Sequence, residues 1–206
     1  MDFVHPVKAV IPGTQGKVLA VLAETSAELN LRTAARLANI SPSQASRVLP
    51  GLVELGLVER REVPPSSLFR LSRNNVAAKA VIQLARLHDT ALEQMGAAAD
   101  AMPLRPASVI IFGSFARREA DSESDIDAVV IRPDDIDDDD TWTEGVEQWR
   151  QDVRALTGNT VEVVESPLSQ AREKLASRSQ LWRDIIRDGV VIHGATLDEL
   201  RDVSRA

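Results

Sequence analysis

Two carboxylates one residue apart follow an apolar segment and a Gly-Ser pair in the stretch from Ile111 to Asp127. Successive side chains of an extended strand alternate between its two faces, so Asp125 and Asp127 are expected to point to one side. Adjacent carboxylates repel each other unless a cation lies between them, and Mg²⁺ prefers oxygen ligands and keeps positions open for phosphate. Gly113 allows close approach of the backbone to a phosphate, and Ser114 adds a hydroxyl at a predicted helix start. The pattern therefore indicates a site for a metal ion with a nucleoside triphosphate.

The same residues carry a resemblance to a known family. Gly113-Ser114-x-Ala116-Arg117, followed by Ser124-Asp125-x-Asp127, resembles the minimal nucleotidyltransferases of bacteria, within the DNA polymerase beta-like superfamily. The resemblance implies that two aspartates and a third carboxylate bind Mg²⁺ or Mn²⁺ and catalyse NMP transfer from an NTP, with ATP the expected donor. The catalytic and metal-binding aspartates would be Asp125 and Asp127. The implied nucleotide-binding residues are Gly113, Ser114, Arg117 and Ser124.

Two arginines beside this motif need separate interpretation. Arg118 occupies a position where relatives often have glycine, and we expect the departure to be mild because the position flanks the site. Arg117 has two interpretations, a phosphate contact or a surface ion pair with Glu119 or Asp121.

The third carboxylate should lie on a later strand, and the β-rich run Thr160–Glu165 carries the acids in that region. If Val161 and Val163 face the core, Glu162 faces the open side. We therefore predict Glu162 as the third catalytic and metal ligand and keep Glu165 as the alternative. Relatives more often have aspartate here.

Residues 14–73 show the order helix, short helix, turn, helix and hairpin, which resembles the winged helix-turn-helix domains of bacterial regulators. We predict helices over residues 16–29, 33–37 and 42–55, with Ser41 as N-cap, and a wing over residues 57–71. The resemblance implies that the helix from residue 42 enters the DNA major groove. The candidate DNA-binding residues are Ser43, Gln44, Ser46 and Arg47 on that helix and Arg60 and Arg61 on the wing, with Arg70 and Arg73 nearby. Such domains also serve as protein-binding modules.

The predicted fold class is α+β, in three parts: a winged helix-turn-helix domain (1–74), a linker helix (75–104) and a nucleotidyltransferase domain with a small mixed sheet (105–206). Residues 1–104 have 11 Lys/Arg and 9 Asp/Glu, whereas residues 105–206 have 13 and 22. The slightly basic first half is therefore better suited to contact nucleic acid. A helix in the linker position could pair with its copy in a homodimer or pack on its own domain.

Composition excludes several kinds of chemistry. The chain has no cysteine, which excludes disulfides, thiol catalysis and cysteine zinc sites. It has no apolar run long enough for a membrane span and no signal-like start, so we expect no membrane partner and a cytoplasmic location. The acidic run 134–140 lacks the pattern of an EF-hand and is expected to be a solvated loop before a helix. Trp142 and Trp149, at helical spacing in that helix, are expected to be core residues.

Three functional hypotheses follow. The first is a nucleotidyltransferase that modifies a hydroxyl of a protein, an RNA or a small molecule and is coupled to DNA through the winged helix. The second is a transcriptional regulator whose nucleotidyltransferase domain senses nucleotide without turnover. The third is an antitoxin that inactivates a protein partner.

Overall fold

The computed structural model describes residues 1–136, 140–177 and 179–202. The chain forms two compact units. Unit I is residues 5–87, and unit II combines residues 1–4 with residues 88–206, so unit I lies in the sequence between two parts of unit II. The predicted α+β class, with helices, small sheets and a mixed sheet in the second half, is confirmed.

Unit I contains five helices and three strands among its residues. They are α1 (Pro6–Val10), α2 (Gly13–Glu24), β1 (Leu29–Asn30), α3 (Leu31–Leu37), α4 (Pro42–Glu54), β2 (Val58–Val63), β3 (Ser66–Leu71) and α5 (Val76–Ala85). The strands form one antiparallel sheet in the order β1-β3-β2. Leu22, Leu49, Leu52 and Phe69 are among the residues of its core.

The start of α4 follows from its sequence. Ser41 accepts a hydrogen bond from the Gln44 backbone, and the Gln44 side chain accepts one from the Ser41 backbone, so the two residues form a capping box. Pro42 occupies the first turn, where its missing N–H is not needed. The predicted N-cap and hairpin are therefore present. The helix predicted over residues 16–29 instead ends at Glu24, because Leu29 pairs with Phe69 in the sheet.

The single helix predicted from residue 75 onwards is two helices, α5 and α6 (Leu87–Asp100), with a break at Arg86. No glycine or proline marks the break, which explains why the sequence pattern missed it. Packing accounts for it, since Ala78 and Val81 of α5 join the core of unit I. Most of α6 belongs to unit II. Each helix thus packs within its own unit.

The sheet of unit II is four-stranded and mixed, in the order β6-β5-β4-β7. Its described elements after α6 are β4 (Ser108–Phe112), α7 (Gly113–Ala116), β5 (Ile126–Arg132), α8 (Asp140–Thr157), β6 (Val161–Pro167), α9 (Leu168–Leu175), α10 (Gln180–Asp188), β7 (Val190–Gly194) and α11 (Leu197–Asp202). β5 runs antiparallel to β4 and parallel to β6, while β7 is antiparallel to β4.

The two tryptophans of α8 are core residues, as predicted. Trp142 and Trp149 are each 2% exposed. Their indole N–H groups donate to the Glu165 carboxylate (2.7 Å) and to the Met95 carbonyl of α6 (3.1 Å). On the other face of the sheet, Ile110, Phe112 and Val129 pack with residues of α9, α10 and α11.

One expectation falls partly outside the described residues. Residues 137–139 of the acidic run lie there, and the helix expected after this run is α8, which begins at Asp140. The last helix, α11, ends at Asp202, and residues from 203 onwards are not described. In the part of the chain that the structure covers, no helix is long and apolar enough to cross a membrane.

Candidate functional site

Three neighbouring strands bring the predicted site residues together at one end of the sheet in unit II. In the antiparallel ladder Asp127 lies opposite Phe112, the residue directly before Gly113. In the parallel ladder on its other side Asp127 lies beside Glu162. Residues at the same level of adjacent strands share a face, so Asp127 and Glu162 project to the same side. The Gly-Ser turn and two of the three carboxylates thus become neighbours through pairing of strands.

Gly113 is held against the Asp127 carboxylate. Its φ of +72° lies in the left-handed region that favours glycine. A Cβ at this position would collide with a carboxylate oxygen of Asp127. The backbone conformation of the turn therefore favours glycine, and any other residue here would displace the Asp127 carboxylate.

The electrostatics of the site centre on Asp127. Burial raises the pKa of Asp127, and the negative charges of Asp125 and Glu162 raise it further, while Arg117 acts in the opposite direction. All three acids are therefore close enough to interact, and they leave an excess of negative charge. Carboxylate oxygens are hard ligands that suit a divalent cation, so this set of residues fits Mg²⁺ or Mn²⁺ in chemistry. Among the described residues no three acidic or histidine side chains are already arranged as a metal-binding cluster.

Glu165, the alternative third ligand, lies three residues further along β6 than Glu162, on the other face of that strand. Its carboxylate accepts the hydrogen bond from Trp142 of α8. The side chain is thus engaged on the side of the sheet that α8 covers, away from Asp127.

Arg117 is held by two carboxylates of unit II. Its Nε donates to Glu119 at 2.8 Å, which is one of the two interpretations offered by the sequence, and its Nη1 lies 3.4 Å from Asp188 Oδ2. Asp188 ends α10 and gave no signal in the sequence. The charge of Arg117 still acts on Asp127, so the guanidinium lies near the carboxylates while paired elsewhere.

The loop before Asp125 is fixed by hydrogen bonds of its own. The Ser124 hydroxyl donates to Asp121 at 2.8 Å. The buried Asn159 side chain donates to the backbone carbonyls of Asp121 and Ser124, at 2.9 and 2.8 Å. Ser124, predicted to bind nucleotide, is therefore a residue that also shapes the loop.

Arg118 adopts a conformation that the sequence comparison did not anticipate. Its φ is +61°, in the left-handed region where side chains are disfavoured. Glycine at this position would relieve the backbone strain. Arg118 forms an ion pair with Asp89 of α6.

In unit I the four candidate DNA-binding residues of α4 are all exposed. Gln44 has a second role, because its side-chain carbonyl completes the capping box. Arg47 has no hydrogen bond or ion pair with any residue in the described ranges. The free guanidinium is therefore available for phosphate or a base edge.

The wing arginines are exposed but paired with glutamates. Arg60 donates to Ser67 at 3.1 Å and to Glu62 at 3.2 Å. Arg61 forms an ion pair with Glu28, and this hydrogen bond lowers the pKa of Glu28. The positive charge of the wing is thus largely balanced within unit I.

Comparison with protein families finds a matching family for each half of the chain. Residues 16–62 match the family described as the IclR helix-turn-helix domain. Residues 97–192 match the family described as the nucleotidyltransferase domain. The chain joins an IclR-type helix-turn-helix domain to a nucleotidyltransferase domain. The two resemblances drawn from the sequence are confirmed, and the helix-turn-helix match falls inside unit I while the nucleotidyltransferase match falls inside unit II.

Solved structures give weaker similarities. A crystal structure of a toxin-antitoxin with AMP-PNP has 14% identity and a TM-score of 0.36, covering 52% of this chain and 77% of that chain. A mutant form of the toxin-antitoxin MntA-HpeT has 13% identity and a TM-score of 0.35, covering 52% and 76%. None of the curated proteins compared with the chain matches it.

Several residues that shape the nucleotidyltransferase domain were missed by sequence reasoning. Asp188 and Asn159 act through contacts 71 and at least 35 residues away in the chain. His88 is buried against the segment that follows the Gly-Ser turn. The left-handed φ of Arg118 did have a signal in the sequence, since relatives often have glycine there.

Proposed function

We propose that the chain is a metal-dependent nucleotidyltransferase that transfers NMP from an NTP, with ATP the expected donor, to an acceptor hydroxyl. The observation that carries this proposal is the position of Asp127 between the Gly113 turn and Glu162, with Asp125 close enough to raise its pKa. Without a bound cation, three carboxylates brought this close together repel one another and destabilise the folded state. A bound divalent cation would compensate for this repulsion and would at the same time offer the remaining coordination positions to a triphosphate.

The residues of the site have distinct parts in this reaction. Asp125, Asp127 and Glu162 would hold Mg²⁺ or Mn²⁺ through carboxylate oxygens. Bound there, the metal would reduce the negative charge of the triphosphate and polarise the α-phosphate. Gly113 allows the turn to lie against the Asp127 carboxylate, and Ser114, Ser124 and Arg117 would contribute hydroxyl and guanidinium groups to nucleotide binding.

The reaction exchanges one bond for another. The acceptor oxygen bonds to the α-phosphorus as the bond from that phosphorus to the bridging oxygen breaks. Pyrophosphate leaves with the electron pair, and the proton of the acceptor hydroxyl passes to solvent. Neither histidine nor cysteine is needed as a base. The candidate acceptors are proteins, RNA 3′ ends and small molecules.

We also propose that unit I binds DNA. Exposed Ser43, Gln44, Ser46 and Arg47 on α4 support this proposal, together with Arg60 and Arg61 on the wing. The mutual pairing of the wing residues implies that DNA would have to compete with Glu28 and Glu62 for the arginines.

Labelled nucleotide transfer tests the catalytic proposal. Purified protein is incubated with Mg²⁺, cell lysate and each α-labelled NTP, beside an Asp125→Ala/Asp127→Ala variant. Glu162→Gln is compared with Glu165→Gln, which removes a charge from the opposite face of the same strand. We expect transfer by the wild type and by Glu165→Gln, and its loss in the other two. Equal activity of all variants would contradict the assignment of the site.

A second candidate function is favoured by the third carboxylate. Glu162 is one methylene longer than the aspartate that relatives more often have, and the described acids do not form a ready metal cluster. A regulator or antitoxin that binds nucleotide or a protein partner without turnover would tolerate both features. Nucleotide binding with no transfer in the experiment above would select this candidate.

A further inference from the structure

The ring of Phe115 is enclosed by two rings from distant parts of the sequence. Phe115 directly follows Ser114 and is fully buried. The ring of Phe3 meets it edge-on, with centroids 4.9 Å apart. The His88 imidazole stacks on it at a centroid distance of 4.8 Å. The residue next to the predicted nucleotide-binding serine is thus held by two aromatic contacts.

The same two residues also bind the backbone of the turn. His88 Nε2 lies 2.7 Å from the Phe115 carbonyl oxygen, which can only accept, so Nε2 carries the proton and donates. The Phe3 backbone N–H donates to the Ala120 carbonyl at 3.0 Å. Phe3 and His88 therefore hold both ends of the segment that leads from the Gly-Ser turn towards Asp125.

The residue after His88 adds a further contact. Asp89 forms the ion pair with Arg118 in the same segment. The beginning of α6 thus contacts the turn segment through stacking, a buried hydrogen bond and an ion pair.

We propose that Phe3 and His88 are positioning residues for the nucleotide site. By fixing Phe115, they hold Ser114 and the start of the loop to Asp125 in the arrangement that accepts the triphosphate, an inference that rests on the proposed function. A 1 Å displacement of a binding group is enough to weaken a preorganised site. The position of the Phe115 ring therefore affects the affinity for nucleotide through Ser114. Neither residue touches the nucleotide in this arrangement.

Variants of His88 separate positioning from packing. His88→Phe keeps a ring on Phe115 but removes the hydrogen bond to its carbonyl, whereas His88→Gln keeps a donor. Leu200→Ala serves as a control for lost stability, because Leu200 is buried in the core beneath α9 to α11. Phe3→Leu provides a second, independent variant that keeps apolar bulk without a ring.

The measurement is the Kd of Mg·ATP for the full chain by isothermal titration calorimetry, with the melting temperature recorded for each variant. We expect His88→Phe to raise the Kd about tenfold, the effect of about 1.4 kcal/mol, Phe3→Leu to raise it several-fold, and His88→Gln to restore it to within about threefold. Leu200→Ala should lower the melting temperature and leave the Kd unchanged.

Other outcomes would overturn the proposal. An unchanged Kd in both His88→Phe and Phe3→Leu, or an equal rise in Leu200→Ala, would show that these residues only stabilise the fold. Failure of the wild type to bind any NTP would overturn this inference and the proposed function together. Binding without transfer would overturn catalysis alone, and the comparison of Kd values would still decide the role of His88.

Discussion

Asp127 and Glu162 lie side by side on parallel strands, and the charge of Glu162 adds to the effects of burial and of Asp125, which raise the pKa of Asp127. A carboxyl group with a raised pKa in the folded state is destabilising when ionised. Its contribution to stability is most favourable at low pH and is lost as the pH rises through the folded-state pKa. The ionised Asp127 carboxylate therefore lowers the stability of the folded state at neutral pH.

Asp127→Asn should be more stable than the wild type at pH 7 while losing nucleotide transfer. The expected gain is a rise in melting temperature of roughly 2–4 °C, which corresponds to about 1 kcal/mol in a chain of this size. The difference should shrink as the pH falls through the raised folded-state pKa and should vanish below the ordinary carboxyl pKa of 3.8, where Asp127 is protonated in both states. Thermal unfolding at a series of pH values measures this. Asp135→Asn, at an exposed position, should show no such gain.

Mg²⁺ with ATP should stabilise the wild type more than it stabilises Asp127→Asn. A ligand that binds only the folded state raises its stability, so Mg²⁺ with ATP should raise the melting temperature of the wild type. The increase should be much smaller for Asp127→Asn, because one of the three carboxylates no longer carries charge. Chelation with EDTA should reverse the increase. An equal rise in both proteins would place the metal elsewhere.

Substitution of Arg118 should reveal the cost of its left-handed backbone. Arg118→Gly and Arg118→Ala both lose the ion pair with Asp89, but only alanine retains a Cβ at a φ of +61°. The glycine variant should therefore be the more stable by about 1 kcal/mol. Urea unfolding of the two variants gives this difference directly. Equal midpoints would mean that the turn relaxes around alanine.

Two neighbours on α4 should behave differently. Gln44→Ala removes half of the capping box and should lower stability by about 0.5–1 kcal/mol, so any loss of DNA binding would be partly indirect. Arg47→Ala should leave stability within about 0.5 kcal/mol of the wild type. It should still weaken binding to duplex DNA and reduce the salt slope by about 1 if Arg47 contacts a phosphate. Fluorescence anisotropy at several salt concentrations measures both quantities.

Releasing a wing arginine should strengthen DNA binding. Glu28→Gln removes the charge that holds Arg61, so affinity for duplex DNA should rise several-fold and depend more steeply on salt. Glu24→Gln changes the net charge of unit I equally at an exposed position and is the control. The same rise in both variants would indicate a general effect of charge and leave Arg61 without a specific role.

The sequence predicted those parts of the site whose conformation depends on residues close together in the chain. Glycine before serine, alternating carboxylates and a serine before proline each have a conformational meaning within a few residues, which is why the turn, the strand with Asp127 and the cap of α4 were found. Glu162 was found because strand alternation indicates which face it occupies. Asp188, Asn159 and Phe3 were missed because their roles come from contacts across the fold that leave no periodic signal. The break at Arg86 was missed because α5 and most of α6 belong to different units, a condition that a continuous helical pattern does not show.

The position of unit I between residues 4 and 88 affects how this chain can be dissected or recombined. A fragment that began at residue 105 would lose α6, whose Met95 carbonyl accepts the Trp149 indole and whose Gly96 lies against the Ile192 carbonyl with no room for a Cβ. It would also lose Phe3 and His88, and with them both rings around Phe115. An exchange of the helix-turn-helix unit between homologous proteins would therefore need two junctions, one on each side of unit I.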